Sequence, residues 1–113
     1  MSKITENNLG SVNLISQSTN VTGDISTESD IRIDGILIGN LVTKGRLIIG
    51  PGGKIEGDVE SRSAEIEGML IGKINVTELL ALKATSNFQG NITTGQLLIE
   101  PGANFSGNCV MSK

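Results

Sequence analysis

"LIIGPGGKIEGDV" (Leu47–Val59) and "LLIEPGANFSGNC" (Leu97–Cys109) carry the same pattern fifty residues apart. Each reads apolar, apolar, apolar, any residue, Pro, Gly, and then apolar-x-Gly-x-apolar. The slots coincide without a gap, so the chain repeats itself, and the length of the repeat decides the fold.

The apolar-x-Gly-x-apolar core occurs six times. Its glycines are Gly23, Gly39, Gly57, Gly72, Gly90 and Gly107, separated by 16, 18, 15, 18 and 17 residues. Between successive copies lies a second apolar pair, for example Ile31/Ile33, Leu47/Ile49 and Leu80/Leu82. Alternation of period two over short runs marks strands with one buried face. Each unit therefore holds three short strands and two variable corners, one of two or three residues and one of three or five. Those corner lengths, added to ten fixed residues, reproduce all five spacings. The longer corners (GPGGK, KATSN, EPGAN) are rich in turn-forming or small residues. Fifty residues is three such units.

One unit cannot bury its own apolar face, but a stack of units can. The expectation is an all-β, single-domain, three-sided parallel β-helix of about six windings, at roughly 4.8 Å per winding. Right-handed crossovers are the general rule for such connections. Glycine in each core copy is read as a slot too tight for a Cβ, since Gly otherwise weakens a strand. The β-helix is expected over residues 12–111, after a flexible tail over 1–11 and before a two-residue tail at 112–113.

Composition limits the chemistry. The 113 residues suit one domain with a modest core, and with 2% aromatics that core must be aliphatic. His, Trp and Tyr are absent, which removes the commonest general base and the commonest metal ligand. No cofactor, metal or catalytic residue is expected. The net charge of −3 with no basic patch argues against nucleic acid. A single Cys excludes an intrachain disulfide and fits a reducing compartment. No apolar run reaches the length of a membrane span or forms a secretory signal.

The two ends hold the candidate site. Solenoids normally need capping repeats, because terminal windings expose apolar side chains and unpaired backbone groups. Only Ser112 and Lys113 follow the last apolar residue, Met111. The C-terminal contact is expected at Phe105, Cys109 and Met111, and the N-terminal contact at Val12, Leu14, Ile15 and Val21. Strand addition across such ends would satisfy the open backbone, and fully burying one Phe is worth roughly 1.5–3 kcal/mol. Cys109, in an aliphatic slot, is expected to be a buried, inert thiol.

The stretches "GDISTESDIRIDG", "KGRLIIGPGGKIEGDV" and "ELLALKATSNFQGNITTGQLLIEPGANFSGNCVM", taken together and in order, resemble the bactofilins, bacterial polymer-forming cytoskeletal proteins. The resemblance spans about Val12 to Met111. It implies a right-handed β-helix that polymerises end to end without nucleotide into non-polar filaments. Phe105, in "PGANFSG", matches the family's C-terminal Phe associated with subunit contact. The implied partners are the protein itself and cell-wall-remodelling enzymes, and the implied role is a cytoplasmic scaffold for cell shape, often at the inner face of the membrane. Many members begin with Met-Phe and basic residues; this chain begins "MSKITENNLG", so any membrane association through this tail is weak.

Other classes fit less well. Hexapeptide β-helix acyltransferases need strict multiples of six and usually a catalytic His. Polysaccharide lyases need a groove, and corners of at most five residues leave none. Calcium-binding nonapeptide repeats need GGxGxD, which "GPGGKIEGD" lacks. Outward charges such as Asp24, Arg32, Asp34, Glu56, Asp58, Glu65, Glu67 and Lys73 read as a solvated face rather than a recognition stripe. The acids among Glu56, Asp58, Glu60, Glu65 and Glu67 stay outside the core by alternation. The runner-up function is a non-polymerising β-helical adaptor that binds a division or wall-synthesis protein through one face.

Overall fold

In the computed structural model, which describes residues 13–111, every regular element is a strand and every pairing is parallel. Val12 and the tails expected at 1–11 and 112–113 lie outside the described residues. The strands are β1 (Asn13–Ile15), β2 (Asn20–Thr22), β3 (Ile25–Thr27), β4 (Ile31–Ile33), β5 (Ile36–Ile38) and β6 (Leu41–Thr43). They continue as β7 (Arg46–Ile49), β8 (Lys54–Ser61), β9 (Ser63–Ile66), β10 (Met69–Leu82), β11 (Asn87–Ile99) and β12 (Asn104–Met111).

The chain winds through three sides. Side one stacks 13–15, 31–33, 46–49, 63–66, 79–82 and 96–99. Side two stacks 20–22, 36–38, 54–57, 69–72, 87–90 and 104–107. Side three stacks 25–27, 41–43, 59–61, 74–76, 92–94 and 109–111. Six windings result, with the corner lengths expected from the repeat. The early windings hold three separate strands, whereas β10 and β11 run continuously over two corners and extend 14 and 13 residues.

The interior is a set of side-chain columns, one residue per winding. Leu37, Ile55, Leu70 and Phe88 form one, Ile33, Ile49, Ile66 and Leu82 another, and all are fully buried. Alternation at the 2-residue period puts these side chains inside and their neighbours outside, so burial follows directly from the sequence pattern. A column at the exit of side three is polar: Thr27, Thr43, Ser61 and Thr94 are buried there with Val76. Thr43 Oγ1 donates to the Ser29 carbonyl at 2.7 Å, and Thr94 Oγ1 to that of Gln96 at 2.8 Å. These bonds hold the corner between sides three and one, which has no turn-forming Pro-Gly.

The glycine column leaves no room for a Cβ, as its reading expects, but the obstruction is not in the interior. The six core glycines have φ of 131–146° and stack on one another at the corner between sides two and three. A Cβ at Gly72 would point along the stack into the backbone carbonyl of Gly57, not into the interior. The constraint is therefore axial and conformational: L side chains rarely adopt this φ, and the winding beneath fills the space.

Candidate assembly interface

The last winding ends the apolar columns abruptly. Leu80, Leu82 and Phe88, one winding below it, are 0% exposed, whereas Ile99, stacked on Leu82, is 45% exposed and Met111, stacked on the buried Thr94, is 51% exposed. Phe105 is half-buried: its ring lies on Phe88, centroids 5.6 Å apart and tilted by 56°, with its other face uncovered by any further winding. Leu97 is half-buried beside it, and Leu98 and Val110 on the same winding are exposed. Among the described residues β12 pairs only with β11, which leaves its outer backbone edge open. Such an edge, with an apolar floor beside it, is a template for another chain.

Phe105, Cys109 and Met111 all lie on β12 in the last winding, stacked on Phe88, Ile92 and Thr94. Cys109 is a correction. Its column neighbour Ile92 is buried, but Cys109 itself is exposed, because nothing within one chain stacks on the sixth winding. Its Sγ lies 4.0 Å from the Met111 sulfur. Leu97 and Ile99 belong to the same open face and escaped the sequence reading of the site, although their place in the last winding was the signal.

The N-terminal end is different. Ile15 and Ile25, inside the first winding, are 2% and 1% exposed, so they are already enclosed within the chain. Ile15 is thus not an open contact, contrary to expectation. Leu14 faces outward from side one and is 60% exposed, because alternation places it opposite to Ile15. Val21 is half-buried. Asn13 Nδ2 donates to Thr27 Oγ1 at 2.9 Å, closing part of this end with a polar rung. Among the described residues β1, β2 and β3 each pair on one edge only. Among the described residues the N-terminal end shows strand edges, polar groups and the half-buried Val21, while the C-terminal end shows more apolar side chains.

The outer surface carries solvated charges. Arg32 pairs with Asp34 at 3.0 Å, and the hydrogen bond and charge of Asp34 raise the guanidinium pKa above its ordinary value. Lys54 pairs with Glu56 at 2.9 Å and Lys83 with Glu100 at 3.4 Å. The expected absence of any groove is corrected by a hollow of about 710 Å³ near the corner between sides three and one, lined by Thr43, Lys44, Glu60, Ser61, Arg62 and Glu78 among others. Its Arg62 and Glu78 face each other at 4.0 Å and are more than half exposed. Among the described residues no cluster of His, Cys, Asp or Glu could hold a metal ion, and no helix is long and apolar enough to cross a membrane.

Comparison with known proteins places this architecture. The family model of the bactofilins, described as polymer-forming cytoskeletal, matches residues 13–110. The chain belongs to the bactofilin family. It is 33% identical over 98 residues to bactofilin BacO of Myxococcus xanthus, covering 87% of this chain and 78% of that protein. It is 28% identical over 98 residues to bactofilin BacP of the same organism, again covering 87% of this chain but only 41% of BacP, which is much longer. The crystal structure of the F105R mutant of a bactofilin from Thermus thermophilus superposes with a TM-score of 0.75 at 32% identity, covering 80% of this chain and all of that one. The parallel β-solenoid of six windings is thus the bactofilin fold, and the family is a structural, cytoskeletal one.

Proposed function

We propose that this bactofilin assembles end to end, without nucleotide, into filaments in which like ends meet. The observation that carries the reading is the open apolar face of the last winding, with Phe105, Ile99 and Met111 at its centre. Covering such a face favours another apolar face, and among the described residues the N-terminal end, with Ile15 and Ile25 enclosed and Asn13 bonded to Thr27, presents less of one. A second C-terminal face supplies it, related to the first by a two-fold axis. The N-terminal ends then meet through their strand edges, and alternation of the two contacts gives a filament without polarity.

The filament is the functional unit, with no catalytic step. It acts in the cytoplasm as a scaffold that positions cell-wall and cell-shape factors, with at most weak attachment of its own to the inner face of the membrane. Bactofilin membership supports this role. The test is pelleting of the purified protein with and without added nucleotide, followed by negative-stain electron microscopy. Filaments in both samples are expected; a protein that stays monomeric or dimeric across salt and concentration contradicts the assembly.

A further inference from the structure

The chain holds four sulfur atoms, in three methionines and one cysteine. Two of them lie on the open face of the last winding, where the Cys109 thiol donates to the Met111 sulfur at 4.0 Å. Met69 is half-buried on the outside of side two in the fourth winding, away from both ends. Met1 lies outside the described residues.

Met111 breaks the pattern of its column. Beneath it the same slot holds Thr27, Thr43, Ser61 and Thr94, with Val76 as the other apolar member. A hydroxyl in this slot closes the corner into side one, as Thr94 does by donating to the Gln96 carbonyl at 2.8 Å. A thioether cannot donate such a bond. Met111 is instead 51% exposed, and a flexible, polarisable side chain suits a surface that another molecule covers. The one winding without a neighbour above it thus carries an oxidisable apolar side chain where most windings carry a hydroxyl.

We propose that Met111 is a site of reversible oxidation that controls the C-terminal contact; the proposal rests on the end-to-end assembly above. The oxidant is a peroxide. The thioether sulfur takes one oxygen with a lone pair, the O–O bond breaks, and the second oxygen leaves as water with the proton of the first. Sulfur is oxidised by two electrons and the peroxide is reduced by two. The sulfoxide is polar, so burying it against an apolar face costs desolvation that the thioether does not.

Access decides when the modification acts. Met111 is open on a free end and covered once two C-terminal faces meet, so oxidation acts on unassembled ends. Two-fold symmetry puts Met111 of both copies into each such contact. Among the described residues the N-terminal end has neither Met nor Cys, so the other contact is untouched. Oxidised protein therefore stops at dimers joined at their N-terminal ends.

The experiment treats dilute Cys109→Val protein with hydrogen peroxide, removes the peroxide, and reads assembly by sedimentation and electron microscopy. Mass spectrometry follows the oxygen added at Met111. The valine removes the thiol from the reading and matches its column, where Ile74 and Ile92 lie beneath. Untreated protein should form filaments. With Met111 oxidised, the concentration needed for filaments should rise about tenfold or more, as for the loss of one apolar burial. Dimers should remain below that concentration. The two methionine sulfoxide reductases, one for each epimer, should restore filaments. Adding Met111→Leu should give assembly before and after peroxide, although Met69 is still there to be oxidised. Rescue by the reductases decides the matter where a substitution itself weakens assembly. Unchanged assembly with Met111 fully oxidised, a loss that the reductases do not reverse, or an equal loss with Met111→Leu overturns the oxidation site and leaves end-to-end assembly standing. Absence of filaments in the untreated wild type overturns both.

Discussion

Gly72→Ala should cost several kcal/mol although it adds one methyl group. Gly72 sits in the fourth winding at φ 136°, and its new Cβ would run into the carbonyl of Gly57 in the winding below. Holding a non-glycine residue in such a backbone region costs about 1–3 kcal/mol, and forcing atoms into a packed site about 1–3 kcal/mol more. Neither escape is open: the backbone of 69–76 is pinned by ladders to 54–61 on one side and 87–94 on the other. The expected loss of about 2–6 kcal/mol is a large part of the ~5–15 kcal/mol that holds a typical domain. Gly52→Ala is the control. Its Cβ would meet nothing closer than the Asp34 carbonyl oxygen at 3.9 Å, and its backbone needs no left-handed φ. That change should stay within about 0.5 kcal/mol. Urea unfolding of dilute protein, so that assembly adds nothing to stability, reads both. A loss under about 1 kcal/mol at Gly72, against the strain cost assumed, or equal losses at the two glycines, refutes the axial account of the glycine column.

Two further outcomes follow from the packing. Ser61 Oγ is buried with no hydrogen-bond partner, while Val76 fills the same column one winding on. An unpaired buried hydroxyl costs about 1–3 kcal/mol, so Ser61→Val should raise stability by about 1 kcal/mol in the same unfolding assay; a loss would mean that the hydroxyl is bonded. Cys109 is exposed in the single chain but lies on the proposed contact face, so a maleimide should label it quickly in dilute protein and slowly in filaments. Equal labelling in the two states would place the contact elsewhere.

The windings were legible because a side chain's direction in a strand depends only on parity. Ile31/Ile33 and Leu80/Leu82 could be assigned to the interior from alternation, and the corner lengths followed from the glycine spacings. Parity also puts Phe105, Cys109 and Met111 in inward slots of the last winding, and the same rule, applied one strand earlier, would have added Leu97 and Ile99. Exposure at the ends was not legible. Ile15 and Cys109 both occupy inward slots of terminal windings, yet one is enclosed and the other open. That difference depends on how each end closes in three dimensions, which periodicity does not encode. The role of the glycines was half legible: the column was visible, but φ and the direction of the missing Cβ belong to the backbone path. The hollow beside Arg62 and Glu78 is lined by residues from four successive windings, which the sequence alone does not bring together.

End-to-end assembly through the C-terminal winding is tested most directly by sedimentation and electron microscopy of the wild type beside Phe105→Arg. The substitution places a charge on the open face of the Phe88–Phe105 pair while leaving the buried core beneath it in place. The account predicts filaments for the wild type and short oligomers, no larger than dimers joined at their N-terminal ends, for Phe105→Arg. Filaments of equal length in a correctly folded variant would contradict it.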